Sequence, residues 1–497
     1  MAGTRLDAAV QAIEQVVGSE HVLTDPALRE LLSRDMSWQP GETAGVVVRP
    51  GSAEEVAEVV GAAARAGVAV VPRGGGMTYT QGYTPPVADA LLLDLGRLDR
   101  IREVNGDDGY VVVEAGCTWE RLYTEVRSRG LQTPFAGTSS GRYATVGGTL
   151  STNGVFLGSS RFGSAVESVL GLEVAIGDGS LVRTGTWGSH GGAPWFRNHG
   201  PDVTGLFLAD TGALGVKTAA ALRVLPTMPC ARQASFAFSG FAASIDAMRE
   251  LARLNLASEI YSFDPKYNRA FVGLGYDSLA GVDWSVHLTV DAYDDAGADA
   301  GIALLRAIGA RHGREVEAAL PLTLRADPFG GVRWALLGED GEIWLPTHAI
   351  LPFSRAHEAT AAIDRVLERD GALLARHGIS TSYQSVVVGR SWILELGIYW
   401  ADELCPFRLG LIDAEEAARF AAIPANPTAR AAALALRREV SDLLADLGGV
   451  QLQIGRYYRY PQLLTPALHT LLSGAKALVD PAGVLNPGSL GLVRVPV

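Results

Sequence analysis

Cysteine is scarce: Cys117, Cys230 and Cys405 are the only three in 497 residues. They lie too far apart to frame a disulfide scaffold, which points to a reducing compartment. The nine histidines are scattered, none paired at metal-ligand spacing, so no metal site is expected. Lysine and arginine total 42 against 54 acidic residues, for a net charge of −12. Without a basic stripe, the chain has nothing to neutralise a nucleic-acid backbone. No apolar run approaches the roughly 18 residues a membrane span needs. Met1 to Gly18 reads as an amphipathic helix and lacks the charged start and apolar centre of a secretion signal. These absences leave a cytoplasmic enzyme as the expectation.

What is present is bulk and glycine. At 48% hydrophobic and 19% charged, the chain is globular and long enough for two or three domains. Val46-Val47-Val48 reads as a strand, Ser52 to Glu55 as a capping box, and the helix it opens runs to about Ala66, where Gly67 ends it. Val68 to Val71 returns as a strand, completing a βαβ unit. That strand runs into Gly74-Gly75-Gly76-Met77-Thr78. Downstream lie Thr145-Val146-Gly147-Gly148, in a stretch that reads as loop from Arg142. Glycine-rich backbone of this kind approaches a phosphate closely, because no Cβ shields the N–H groups. Thr118 to Arg129 is a helix closed by Gly130, and Gly177-Asp178-Gly179 marks a hairpin. From Pro226 to about Gly449 the pattern becomes strand, long Ala/Leu helix, strand. An amphipathic helix follows from about Pro466.

Common nucleotide folds do not fit. A Rossmann fingerprint leads straight into a helix, whereas Gly76 is followed by Met77-Thr78-Tyr79-Thr80 and a Gly-Tyr-Thr-Pro-Pro run. A phosphate-loop lysine is missing. Gly137-Thr138-Ser139-Ser140-Gly141 matches the hydrolase elbow G-x-S-x-G, but the elbow must join a strand to a helix. A serine hydrolase through Ser139 stays only as a contrasting class, alongside a flavin binder without redox turnover.

Taken in order, Pro72 to Thr78, Leu91 to Leu95, Val112 to Trp119, Thr145 to Gly148, Gly205-Leu206-Phe207, Gly212 to Val216 and Asn486-Pro487-Gly488 resemble the vanillyl-alcohol oxidase / p-cresol methylhydroxylase (PCMH-type) flavoprotein family. The likeness is tight over 45–226, loose over the following region, and returns at the C-terminus. It implies an α+β fold: a PCMH-type FAD-binding domain of two α+β subdomains, and an α+β cap domain with an antiparallel sheet. The expected boundaries are an N-terminal helical segment at 1–44, the FAD domain at 45–226, a cap or substrate domain at 227–450, and a segment at 451–497 that returns to the FAD domain.

The resemblance implies FAD, held by Arg73, Gly74, Gly75, Gly76, Met77 and Thr78, by Ser139, Ser140, Thr145, Gly147, Gly148 and Ser151, and by Val216 and Asn486. Tyr458-Arg459 resembles the pair with which phenol-oxidising members hold a phenolate, and Tyr83 resembles their other anchor tyrosine. Two phenols and a guanidinium around one oxygen would lower its pKa. The run Tyr457 to Tyr460 also reads as an ordinary aromatic strand. Arg390 and Glu395, with Tyr399 and Trp400, fall on cap strands expected above the cofactor.

Three departures from the family stand out. Met77-Thr78 and Leu394-Glu395 fill the places where covalent members carry a histidine, so non-covalent FAD is expected. The aspartate that the phenol-oxidising branch places before the double glycine is missing, where Thr138 to Arg142 stand. The histidine-rich metal motif of FAD-linked 2-hydroxy-acid dehydrogenases is also missing. The expected activity is oxidation of a small alcohol or of a benzylic or phenolic substrate, with oxygen or an electron carrier as acceptor. A metal-free dehydrogenase of 2-hydroxy acids, its carboxylate paired by Arg459 or Arg390, is the alternative. A homodimer is left open.

Overall fold

The computed structural model describes residues 2–38 and 41–492. Val46–Val48, Val70–Arg73 and Leu91–Asp94 are buried at every position, as short aliphatic strands covered on both faces are. They run parallel, with Val22–Leu23 antiparallel at the edge, in the order Val22–Leu23, Val46–Val48, Leu91–Asp94, Val70–Arg73. The helix Ala53–Ala66 links two of them. The Ser52 hydroxyl caps it by accepting the Glu55 N–H at 3.1 Å, and Gly67 ends it at φ 67°. Glu55 reaches back to the Gly51 N–H at 2.7 Å, one residue earlier than a capping box requires. Val56, Val59, Val60 and Ala63 form the buried stripe of this helix. Each buried valine contributes about 1.5–3 kcal/mol.

Beyond Val70 the next neighbour comes from the far end of the chain. The Val70 N–H donates to the Val484 carbonyl and the Asn486 N–H to the Val70 carbonyl, both at 2.8 Å. A second, five-stranded antiparallel sheet has the order Ile101–Asn105, Tyr110–Glu114, Val216–Arg223, Val169–Ala175, Leu181–Arg183.

The third sheet is antiparallel and seven-stranded: Arg314–Val316, Cys230–Phe238, Trp284–Ala292, Ala257–Phe263, Ser380–Val388, Ser391–Trp400, Ile343–Pro352. The helices Phe241–Arg253, Asp295–His312 and Pro427–Asp446 pack on it, and Ala356–Arg376 packs on the last of these. Its register sets Glu395 opposite both His348 and Gln384, and sets Phe263 opposite Gln384. Residues opposite one another share a face. That face carries the site.

Candidate functional site

A cavity of about 310 Å³ separates the glycine loop from the seven-stranded sheet. One wall is backbone-rich: Gly74 to Tyr79, Thr138 to Ser140, Ala144, Thr145 and Gly148. The other is side chains of the sheet: Tyr261, Phe263, Trp344, His348, Gln384 and Glu395. Leu320, Leu324 and Pro328 line a further part, where the chain is more exposed. A smaller cavity lies beside it, lined by Arg73, Gly147, Ser151, Val216 and Lys217 among others, and Gly74, Tyr83, Thr145 and Gly148 face both. Together they make one elongated site.

The glycines are required by crowding. A Cβ on Gly75 would run into the Tyr143 carbonyl oxygen, and one on Gly74 into the Thr145 hydroxyl. Gly147 lies close enough to Ala115 that a Cβ would come within 2.6 Å of the alanine methyl. Only Gly76 among the three loop glycines needs the left-handed region, at φ 72°. Among the described residues, the N–H groups of Gly74 through Thr78 donate to nothing within the chain. Five successive free donors beside a cavity form a cradle for an anion and need no lysine. The residues present therefore fit the pyrophosphate of FAD. In the smaller cavity, Lys217 forms a buried ion pair with Asp210, whose carboxylate also accepts the Gly212 and Leu214 N–H groups.

Across the cavity the chemistry gathers on Glu395. The Gln384 amide donates to its Oε1, and the Nδ1 of His348 lies 3.8 Å from its Oε2. Burial pushes the Glu395 carboxyl up to about 7, against the Gln384 hydrogen bond, which lowers it. Burial, with Arg437 nearby, pushes His348 down to about 4, so its ring is neutral at ordinary pH. Neither ring nitrogen has a hydrogen-bond partner within the chain. Tyr267 also lines the cavity, and its hydroxyl accepts from that of Tyr399 at 3.1 Å.

Of the residues singled out in the sequence, Gly74 to Thr78, Ser139, Ser140, Thr145, Gly148, Tyr83 and Glu395 line the main cavity, and Arg73, Gly147, Ser151 and Val216 line the smaller one. Gly147 and Gly148 lie in the first turn of a helix, Val146–Thr152, where a loop was expected; Thr145 caps it by accepting the Gly148 N–H. The Thr78 hydroxyl is committed to Asp35.

Four candidates fall elsewhere. Arg459 turns away from the cavity to the helix Pro427–Asp446, reaching Asp442 at 3.2 Å and also Asp446. Its guanidinium is already neutralised there. Arg390 sits exposed in the tight turn joining Ser380–Val388 to Ser391–Trp400. Tyr458 stands behind His348, ring centroids 6.3 Å apart, and does not line the cavity. The run Tyr457 to Arg459 is turn and coil, so the expected strand is absent there. Asn486 is a clamp: its amide donates to the Gly82 and Thr211 carbonyls at 2.7 Å and accepts from Arg456, and it lines neither cavity.

His348, Gln384, Trp344, Tyr267 and Lys217 line the site and were not anticipated. Nothing local marks His348 in Pro346-Thr347-His348-Ala349. Only the pairing of its strand with that of Glu395 could have found it.

Residues 44–185 match the FAD binding domain family. Among curated relatives, the mitochondrial D-2-hydroxyglutarate dehydrogenase of Bos taurus is 31% identical over 238 residues, covering 48% of this chain and 42% of its own length. The D-2-hydroxyglutarate dehydrogenase of Xanthomonas citri pv. viticola is 32% identical over 225 residues, covering 45% of this chain and 46% of its own. The chain thus spans less than half the length of these relatives. Among solved structures, 4-ethylphenol oxidase from Gulosibacter chungangensis superposes with a TM-score of 0.77 at 19% identity, over 99% of this chain and 98% of that one. Substrate-bound p-cresol methylhydroxylase gives the same TM-score and identity, over 99% and 97%. The glycine cradle lies inside the matched region: residues 44–185 are an FAD binding domain, and the chain has the fold of p-cresol methylhydroxylase.

Proposed function

We propose that this flavoprotein is an oxidoreductase that takes a hydride from a small, uncharged, largely apolar substrate bearing a hydroxyl group, of the benzylic or phenolic class, with Glu395 receiving the substrate's proton. The observation that carries the reading is the composition of the cavity. Its wall holds Glu395 and neutral His348 among aromatic side chains, and no lysine or arginine lines it among the described residues. When bound, FAD supplies the two-electron acceptor. The chain's own part is to hold and deprotonate the substrate. Tyr261, Phe263, Tyr267, Phe271 and Trp344 bind an apolar body and exclude water. Gln384 fixes the carboxylate by one oxygen, leaving Oε2 beside His348 for a hydroxyl proton. A pKa near the working pH suits a general base.

A second reading draws on the names of the sequence relatives: dehydrogenation of a 2-hydroxy acid. In this chain a carboxylate would enter without a cation to pair it, and beside Glu395, at a cost of several kcal/mol. Arg459, which pairs with Asp442 and Asp446, and Arg390, which is exposed in a turn, lie elsewhere. Among the described residues no cluster of three or more His, Cys, Asp or Glu could hold a metal ion.

FAD is taken to be non-covalent, because Met77 stands in the cradle and Leu394 beside Glu395. Acid precipitation should leave the flavin in solution. A yellow pellet would contradict this and direct attention to His348. Three unpaired cysteines favour a reducing, cytoplasmic setting, and no helix among the described residues is long and apolar enough to cross a membrane. The reaction class is tested by anaerobic bleaching of the flavin with aryl alcohols and alkylphenols.

A further inference from the structure

Beneath the cradle lies a carboxylate that the chemistry above does not use. Asp35, 2% exposed, belongs to the N-terminal segment and not to the FAD binding domain. Its Oδ2 accepts from the Thr78 hydroxyl and from the Gln81 N–H, each at 3.1 Å. Its Oδ1 accepts from the Ser37 N–H at 2.8 Å and from the Ser37 hydroxyl. Two of these partners are N–H groups, which only donate; burial raises the Asp35 pKa, while the hydrogen bonds from Ser37 and Thr78 and the nearby Arg73 guanidinium lower it. The same segment holds the loop by its backbone: the Met36 N–H donates to the Thr78 carbonyl at 2.9 Å, and Arg73 donates to the Arg34 carbonyl at 2.6 Å.

The loop needs such a hold. It leaves the cradle through Gln81, a non-glycine residue in the left-handed region at φ 56°, a conformation that persists only where its surroundings enforce it. Asp35 grips the Gln81 N–H and Arg456 grips its carbonyl at 2.7 Å. The free N–H groups of Gly74 to Thr78 are therefore bounded at one end by the strand Val70–Arg73 and at the other by Asp35. From the cap side, Arg408 donates to the Met36 carbonyl, and Phe407 lies under the Arg73 guanidinium, 5.1 Å from its ring centre. The segment Arg34–Ser37 is thus clasped between the loop and the cap.

We infer that Asp35 is a positioning residue for FAD binding, its carboxylate holding the phosphate cradle in the conformation that presents successive N–H groups to the pyrophosphate. It touches neither cavity and acts only through Thr78 and Gln81. A preorganised loop has less conformational freedom to lose when the anion arrives.

The test uses full-length protein depleted of flavin. FAD affinity is measured by titration with FAD, and amide hydrogen exchange is followed in peptides covering 74–81 and, as an internal reference, 380–400. Asp35→Asn should weaken FAD at least 10-fold and speed exchange in 74–81 while leaving 380–400 unchanged. Ser37→Ala, which loosens the carboxylate without removing it, should shift both readouts in the same direction by a smaller factor. If Asp35→Asn does not fold, Ser37→Ala decides alone. Affinity within twofold of the parent, or unchanged exchange at 74–81, overturns the inference. So does acceleration that is equal in both regions, because that is the mark of general destabilisation.

Discussion

The Nδ1 atom of His348 lies 3.8 Å from Oε2 of Glu395, and the ring has no other partner for either nitrogen within the chain. Burial moves the two groups in opposite directions, His348 to about 4 and Glu395 to about 7. Near neutrality the pair passes between uncharged and singly negative, with the change lying on Glu395. Replacing Glu395 by Gln should lower the rate of anaerobic flavin reduction by about 10²- to 10⁴-fold. In the parent that rate should rise with pH through about 7, and in the variant it should be flat there. Stopped-flow reduction across pH 5.5 to about 9 checks both, within the usual range for a carboxyl poised as a base.

The same burial carries a stability cost whose sign is fixed. The Glu395 carboxyl ordinarily titrates at 4.5 and is pushed up to about 7 in the fold. Between those values the folded state binds more protons than the unfolded one, so stability falls as pH rises through the window. Glu395→Gln removes that term. The variant should be more stable than the parent above pH 7 by up to about 3 kcal/mol, the gap closing below about 4.5. Urea melts at pH 4.5 and at about pH 8 measure it. Equal stability at the higher pH would mean that the carboxyl titrates normally.

Gly75→Val tests the cradle. The added Cβ meets the Tyr143 carbonyl, so the loop must move away from the second glycine stretch. The expected outcome is folded protein with less than a tenth of the parent's bound flavin, read from the ratio of visible to ultraviolet absorbance. Full occupancy would show that these N–H groups do not hold the cofactor. The ordinary φ of Gly75 makes the effect one of contact and not of backbone strain.

Arg459 supplies a contrasting case. Because its guanidinium pairs with Asp442 and Asp446 outside the cavity, Arg459→Lys should leave flavin reduction within about threefold of the parent. Its effect should be limited to the fraction of a kcal/mol to 1 kcal/mol of a partly exposed ion pair. A loss of 10-fold or more in reduction rate would return Arg459 to the substrate.

Much of the FAD-binding half is legible in the sequence because its signals are local. Ser52, Gly67, Thr118 and Gly130 each bound a helix through chemistry within one turn. The glycine loop announces itself by composition. The reacting end is not legible in this way. Glu395 acquires its raised pKa from burial, and only sheet register brings His348 and Gln384 opposite it. The adjacent Tyr458 and Arg459 diverge because their backbone is a turn, sending one ring inward behind His348 and the guanidinium outward. A sequence motif specified the residue types at that place but not their direction. Asn486 misled for a related reason: it marks the place where the C-terminus joins the cradle strand, a structural junction beside the cofactor loop.

The most direct measurement is anaerobic stopped-flow reduction of the bound flavin by a matched series: an uncharged aryl alcohol, an alkylphenol, the same aryl skeleton bearing a carboxylate, and D-2-hydroxyglutarate. The cavity, with aromatic walls, Glu395 and no lining cation, should give reduction by the uncharged members at least 10²-fold faster than by their charged counterparts, since a buried unpaired carboxylate costs several kcal/mol. Rapid reduction by D-2-hydroxyglutarate with none by the uncharged series would contradict the assignment and make this chain a hydroxy-acid dehydrogenase whose cation comes from outside the cavity described.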